Sequence, residues 1–279
     1  MSDKSKIDWT DATYNPIVGC SKISEGCVNC FAERAAAAPR LQQFEQYKAV
    51  IANGRWSGKA HLVESVLDKP LHWRKPRKIF VCSMGDLFHE SVPITHWKID
   101  GGGMGWLDRI FCGVIGWTPQ HTYQILTKRI DREKIYLDKL YRGLAEFHKC
   151  KTVPPFKNLW LGVTVENSNH LSRITMLGNI RAAVHFVSFE PLLGPINMFA
   201  APGWQQDIDQ PFRDTVQWVI VGPETGPSAR PCDNDWIRRI VKDCERAGVA
   251  CFVKKIVGPD GKAIHPGPEW PREFPEVKA

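Results

Sequence analysis

The sequence predicts an α/β fold, a partial TIM-like (β/α) barrel of about six parallel strands in a single domain over residues 1–279. Two observations carry this reading. Six short β-prone apolar runs recur along the chain: Ile79–Cys82, Thr122–Leu126, Leu159–Val163, Val184–Val187, Trp218–Val221 and Ala250–Val253. Their near-continuous apolarity, in place of in-out alternation, marks strands covered on both faces, the habit of parallel sheets with helices outside. At 279 residues with 43% hydrophobic content, the chain can bury a large core.

Taken in order, Ile7 to Val18 mixes apolar and polar residues up to Asn15-Pro16, which predicts a brief strand or turn. A helix is expected from Phe31 through the alanine run, broken at Pro39 and stopped by Asn53-Gly54. A short helix is expected within Leu62 to Leu71. Helical periodicity is plainest in Trp106 to Ile115 and in Asp233 to Ala247. In the latter, Trp236, Ile237, Ile240, Val241 and Cys244 share a face, Asp233 or Asn234 serves as N-cap and Gly248 as the stop. Residues from about 197 to 215 read as an inserted loop.

Three of the nine cysteines, Cys20, Cys27 and Cys30, fall in the order C-x6-C-x2-C within a loop over residues 15–31. The close final pair lets two thiolates grip one centre, and Gly19 and Gly26 let the backbone curl round it. A structural zinc site takes four protein ligands, whereas a [4Fe-4S] cluster held by three thiolates leaves one iron open. Cys82, Cys112, Cys244 and Cys251 sit in apolar contexts and read as small core residues. An odd number of scattered cysteines fits a reducing compartment, and the polar start is not a signal peptide, so a cytoplasmic protein is expected. No run is long and apolar enough to cross a membrane.

The formal charge of +7 points to a polyanionic partner such as nucleic acid. Basic residues gather in Trp73-Arg74-Lys75-Pro76-Arg77-Lys78 and at Lys128-Arg129, and eleven tryptophans offer stacking surfaces. Polar groups follow the apolar runs: Ser83 and Asp86, Lys128 and Arg129, Glu166 and Asn167, Glu190, Glu224 and Lys254-Lys255. In a βα barrel the carboxyl ends of the strands open on one face, so these residues are expected to line one pocket.

A three-cysteine loop ahead of a partial βα barrel resembles the radical S-adenosylmethionine superfamily, whose usual spacing is C-x3-C-x2-C. Asp8-Trp9-Thr10, Gly85-Asp86-Leu87-Phe88-His89, Leu126-Thr127-Lys128-Arg129, Leu161 to Asn167, Glu190-Pro191-Leu192-Leu193-Gly194 and Gly222 to Gly226 together resemble a phage and prophage family with a widened motif. The resemblance implies a [4Fe-4S] cluster on the three cysteines, S-adenosylmethionine on its open iron, and a 5′-deoxyadenosyl radical that abstracts hydrogen. It further implies Ser83, Asp86, Glu166 and Asn167 as cofactor contacts. Lys128, Arg129, Glu190 and Glu224 are then the groups for substrate binding or proton handling. The implied partners are an electron donor such as flavodoxin or ferredoxin and a DNA or nucleotide substrate. The substrate expected first is an amino-acid-modified thymidine in phage DNA, undergoing isomerisation in the host cytoplasm. A free nucleotide or small metabolite is the alternative substrate, and a zinc-stabilised nucleic-acid-binding protein without catalysis is the reading from another class.

Overall fold

The computed structural model describes residues 4–202 and 210–276. The chain is α/β and divides into two compact units: Met1–Lys22 with Ala32–Trp160 and Ile180–Ala183, and Ile23–Phe31 with Leu161–Asn179 and Val184–Ala279. Seven strands are parallel-sheet strands, where about six were expected. The additional one is Ala12–Tyr14, which falls in the Ile7 to Val18 stretch where a brief strand or turn was expected.

In the first unit, β1 (Ala12–Tyr14), β2 (Lys78–Val81) and β3 (Thr122–Thr127) pair in parallel, with Ala12 opposite Ile79 and Lys78 opposite Thr122. Helix α1 (Phe31–Ala37) follows the cysteines, as the alanine run dictates. Asn53 and Gly54 do not stop a helix: the helical stripe expected up to Ile51 ends at Lys48, and Ile51–Ala52 is a strand. With φ of 51° and 72° they form the two-residue turn of a hairpin between Ile51–Ala52 and Arg55–Trp56. The short helix expected within Leu62 to Leu71 is replaced by two 3-10 turns, Glu64–Val66 and Lys69–His72. Pro70, which lacks an amide hydrogen, keeps them apart. Helix α2 (Trp106–Phe111) ends short of the expected Ile115, and a 3-10 turn, Ile115–Trp117, takes over. Helix α3 (Ile130–Phe147) is the longest and buries Ile130, Tyr136, Leu137, Leu140 and Tyr141. Its Tyr136 ring packs on Phe111 and Phe88, with centroids 5.1 and 6.4 Å away.

The strand β4 (Leu159–Thr164) is buried along its whole length. In the second unit, β5 (Val184–Phe189), β6 (Trp218–Val221) and β7 (Ala250–Val253) pair in parallel, Val219 lying opposite both Val187 and Cys251. A side chain at Gly162 would collide with the ring of Phe186, so glycine inside β4 leaves room for that ring. Helix α4 (Ser172–Gly178) follows β4, and helix α5 (Asn234–Ala247) connects β6 to β7. The α5 ends match the sequence reading: the Asp233 side chain accepts from the Asp235 amide, and Gly248 terminates the helix at φ 63°, ψ 37°. Within the expected inserted loop at about 197–215, Met198–Ala200 is a 3-10 turn and Gln210–Thr215 a helix; residues 203–209 lie outside the described residues. The free edge of β7 is covered by the C-terminal segment. The Val253 amide donates to Pro271 at 2.9 Å and the Glu273 amide to Cys251 at 2.8 Å, while Phe274 stacks on Trp218 at 5.3 Å.

Among the described residues, no helix is long and apolar enough to cross a membrane.

Candidate functional site

Cys20 belongs to the first unit, Cys27 and Cys30 to the second. All three are half-buried and none forms a disulfide. In the first unit the chain reaches Cys20 through Gly19, whose φ of 94° suits glycine and whose added side chain would strike the Lys59 carbonyl. Gly19 runs so close to Gly85 that a Cβ on Gly85 would lie 2.8 Å from the Gly19 carbonyl oxygen. The loop after β2 is held from the other side by Asn15, whose Oδ1 accepts from Ser83 Oγ at 3.1 Å and from the Met84 amide at 3.2 Å.

Arg129 is the hub of this half, and it is 3% exposed. Its Nε donates to Glu90 at 2.8 Å, and its Nη1 to Asp86 at 3.0 Å and to the sulfur of Cys20 at 3.5 Å. Nη2 donates to the Ser21 carbonyl at 3.1 Å and to Ser21 Oγ at 2.8 Å. A guanidinium has five N–H donors, and each has a partner here. Burial opposes the charge, but the Glu90 hydrogen bond and the Asp86 carboxylate hold Arg129 above its ordinary range. Burial is the largest single influence on the Glu90 carboxyl and works to raise it, yet the Arg129 hydrogen bond, a backbone hydrogen bond and the nearby positive charge together outweigh it and push Glu90 down to about 2. Asp86 also accepts from Thr127 Oγ1 at 2.8 Å and from the Phe88 amide at 2.9 Å. His89 meets Ser21 Oγ at 3.0 Å and Ser91 Oγ at 2.9 Å, and burial lowers its pKa, with the charge of Arg129 adding to the effect. Lys128 is half-buried at the end of β3.

One residue of this half escaped the sequence reading. Glu133, one turn into α3, is fully buried, and neither carboxylate oxygen has a hydrogen-bond partner. Burial raises its pKa well above the ordinary value, and the nearby Asp86 charge pushes the same way. A buried polar residue on an apolar helical face is the signal that flags it.

In the second unit the cysteine segment is bound to two carboxylates at strand ends. Glu166, completely buried, accepts from Ser24 Oγ through Oε1 and from Arg173 Nη1 at 2.7 Å through Oε2. Ser24 Oγ also lies 3.6 Å from the sulfur of Cys27. Gly26 is pressed against the Glu166 carboxyl so closely that any side chain there would collide with it. Glu224 accepts from Asn29 Nδ2 at 2.9 Å and from three donors of Arg230: the amide, Nε and Nη2. Burial pushes the Glu224 carboxyl up, but the Arg230 and Asn29 hydrogen bonds prevail and hold it below the usual carboxylate range. Glu190 accepts from Lys254 Nζ at 2.6 Å. Asn167 Oδ1 is spent on local structure, accepting from the Asn169 amide to cap a 3-10 turn.

The strand-end residues that the sequence singles out are therefore grouped by unit. Asp86 and Arg129 stand with Cys20, while Glu166 and Glu224 stand with Ser24 and Asn29 beside Cys27 and Cys30. Ser83 and Glu190 have partners other than the cysteine segment, whereas Asn167 also hydrogen-bonds Glu25 within it. Among the described residues no three His, Cys, Asp or Glu side chains converge as ligands of one ion would. Within each unit a hydrogen-bonding group stands at a cysteine sulfur, Arg129 at Cys20 and Ser24 at Cys27.

These features define an α/β protein of parallel βα units whose cysteine segment is anchored to charged strand ends. A family model described as a protein of unknown function, DUF5131, matches residues 4–263, and the chain belongs to that family. No curated protein and no solved structure matches it.

Proposed function

We propose that this chain is a radical S-adenosylmethionine enzyme that abstracts hydrogen from an amino-acid-modified thymidine in DNA, as an isomerisation step of base hypermodification. The observation that carries the proposal is the anchoring of the cysteine segment: Arg129 at the Cys20 sulfur, and Ser24 between Glu166 and the Cys27 sulfur. Cys20, Cys27 and Cys30 would hold a [4Fe-4S] cluster, which together with S-adenosylmethionine would supply hydrogen-atom abstraction that no side chain supplies alone. The chain's own residues set the stage for it. Arg129, tied to Asp86 and Glu90, fixes the Cys20 end, and Glu166 fixes the Cys27 end. Glu224, accepting from Asn29, fixes the residue next to Cys30. Lys128 in the first unit and, separately, the Glu190–Lys254 pair in the second are the groups we assign to substrate. The net charge of +7 favours a polyanionic substrate.

The test is anaerobic purification with iron, sulfide and zinc analysis, then reaction with dithionite, S-adenosylmethionine and DNA carrying aminoacyl-thymidine. Iron with sulfide, release of 5′-deoxyadenosine and a rearranged nucleoside by mass spectrometry are expected, and Cys30→Ala abolishes all three. A colourless protein with one zinc and no iron overturns the proposal.

A further inference from the structure

The N-terminal ends of β2 and β3 in the first unit carry a surface that the proposed chemistry does not use. Five Lys and Arg residues occur in the ten positions 69–78, which lead into β2. Arg74 and Lys75 there are exposed and make no ion pair among the described residues, and the same holds for Lys157, just ahead of β4. Between these two basic stretches lies the turn Ile115–Trp117, with Trp117 76% exposed. The loop after this turn meets the first stretch, and the turn itself lies against Phe156, the neighbour of Lys157. Gln120 Nε2 donates to the Trp73 carbonyl at 3.4 Å on one side, and on the other a Cβ at Gly116 would lie 3.3 Å from the Phe156 ring. Trp73 is held in place, with the Arg77 guanidinium 4.8 Å over its ring and His121 edge-on at 6.0 Å. The carboxylates nearby are engaged: Asp68 with His72, and Asp11 with the Lys78 amide.

A solvent-facing tryptophan beside unpaired cations is the combination that binds a nucleic acid strand, with phosphates on the cations and a base on the indole. We propose that this surface binds single-stranded nucleic acid, with Arg74, Lys75 and Lys157 at backbone phosphates and Trp117 stacked on an unpaired base. It sits at the opposite end of the strands from Asp86 and Arg129, about 16 Å away along β3. It thus engages a stretch of strand remote from any base under modification. The inference stands without the radical chemistry, because the binding test contains neither iron nor S-adenosylmethionine.

The test uses the full chain and a fluorescein-labelled oligothymidylate, read by fluorescence anisotropy across a salt series. The wild type is expected to bind with a log-log salt slope of about −2, near −0.7 for each of three phosphate contacts. Arg74→Glu, Lys75→Glu and Lys157→Glu combined remove most of that slope, and the milder Arg74→Gln with Lys75→Gln removes about two thirds. Trp117→Ala weakens binding about tenfold or more at unchanged slope. A wild type that binds without salt dependence overturns the proposal. So does a triple variant, folded by circular dichroism, that keeps the full slope, or a Trp117→Ala protein with unaltered affinity.

Discussion

The guanidinium of Arg129 donates to the sulfur of Cys20 at 3.5 Å while the same Nη1 donates to Asp86 at 3.0 Å, so one buried cation couples a strand-end carboxylate to a cysteine. All five of its donors are used within the first unit, which makes Arg129 a positioning residue and leaves the substrate to other groups.

Replacing Arg129 with Met strands the Asp86 carboxylate, which is 6% exposed, without its cation. The expected loss is about 3 kcal/mol in urea unfolding of the metal-free protein. Arg129→Lys retains the charge but not the fork and is expected to fall between. Equal stability of all three proteins rules out this role.

Gly26 and Ser24 hold the second unit's half of the segment against Glu166. Gly26→Ala forces the Glu166 carboxyl or the loop to move, at a cost of about 1–3 kcal/mol. Ser24→Ala leaves Glu166 Oε1 buried without its donor, at a similar cost. Thermal unfolding reads both, and iron content after reconstitution is expected to drop in each.

Glu133 predicts a stability that declines with pH. Its carboxyl stays protonated in the folded protein above the ordinary carboxylate value of about 4.3 and ionises in the unfolded chain. The unfolded state therefore binds fewer protons there, and stability falls as pH rises above about 4.3, by up to about 1.4 kcal/mol per unit. Glu133→Gln removes this slope, so its advantage over the wild type grows as pH rises above about 4.3. Parallel urea midpoints across that range contradict the assignment.

Glu90 has the opposite sign. Its folded pKa of about 2 lies below the unfolded value, so its contribution is complete above about pH 4.3 and is lost as pH falls towards about 2. With its side chain 54% exposed, screening keeps the amplitude small. Glu90→Gln is expected to show a flatter acid limb in that window, measured by chemical unfolding.

Legibility in the sequence followed the range of the interactions. The apolar runs of β2 to β7 announced themselves because a strand buried on both faces needs no partner information, and α5 was readable from Asp233 to Gly248 because its caps are local. Helix α3 was not singled out, since its charged residues crowd around a buried face that itself contains Glu133. The carboxylates of the site were visible as polar strand ends. Their tethers were not: Ser24 meets Glu166 across 142 residues and Asn29 meets Glu224 across 195, and no local pattern encodes such pairs.

The cover on the edge of β7 has a consequence for solubility. Its hydrogen bonds come from Pro271 and Glu273, some twenty residues downstream of the strand they protect. Without that segment β7 would present an unpaired strand flank of the kind that pairs with a second chain, so cleavage between β7 and Pro271 is the event that turns a buried strand into an adhesive one.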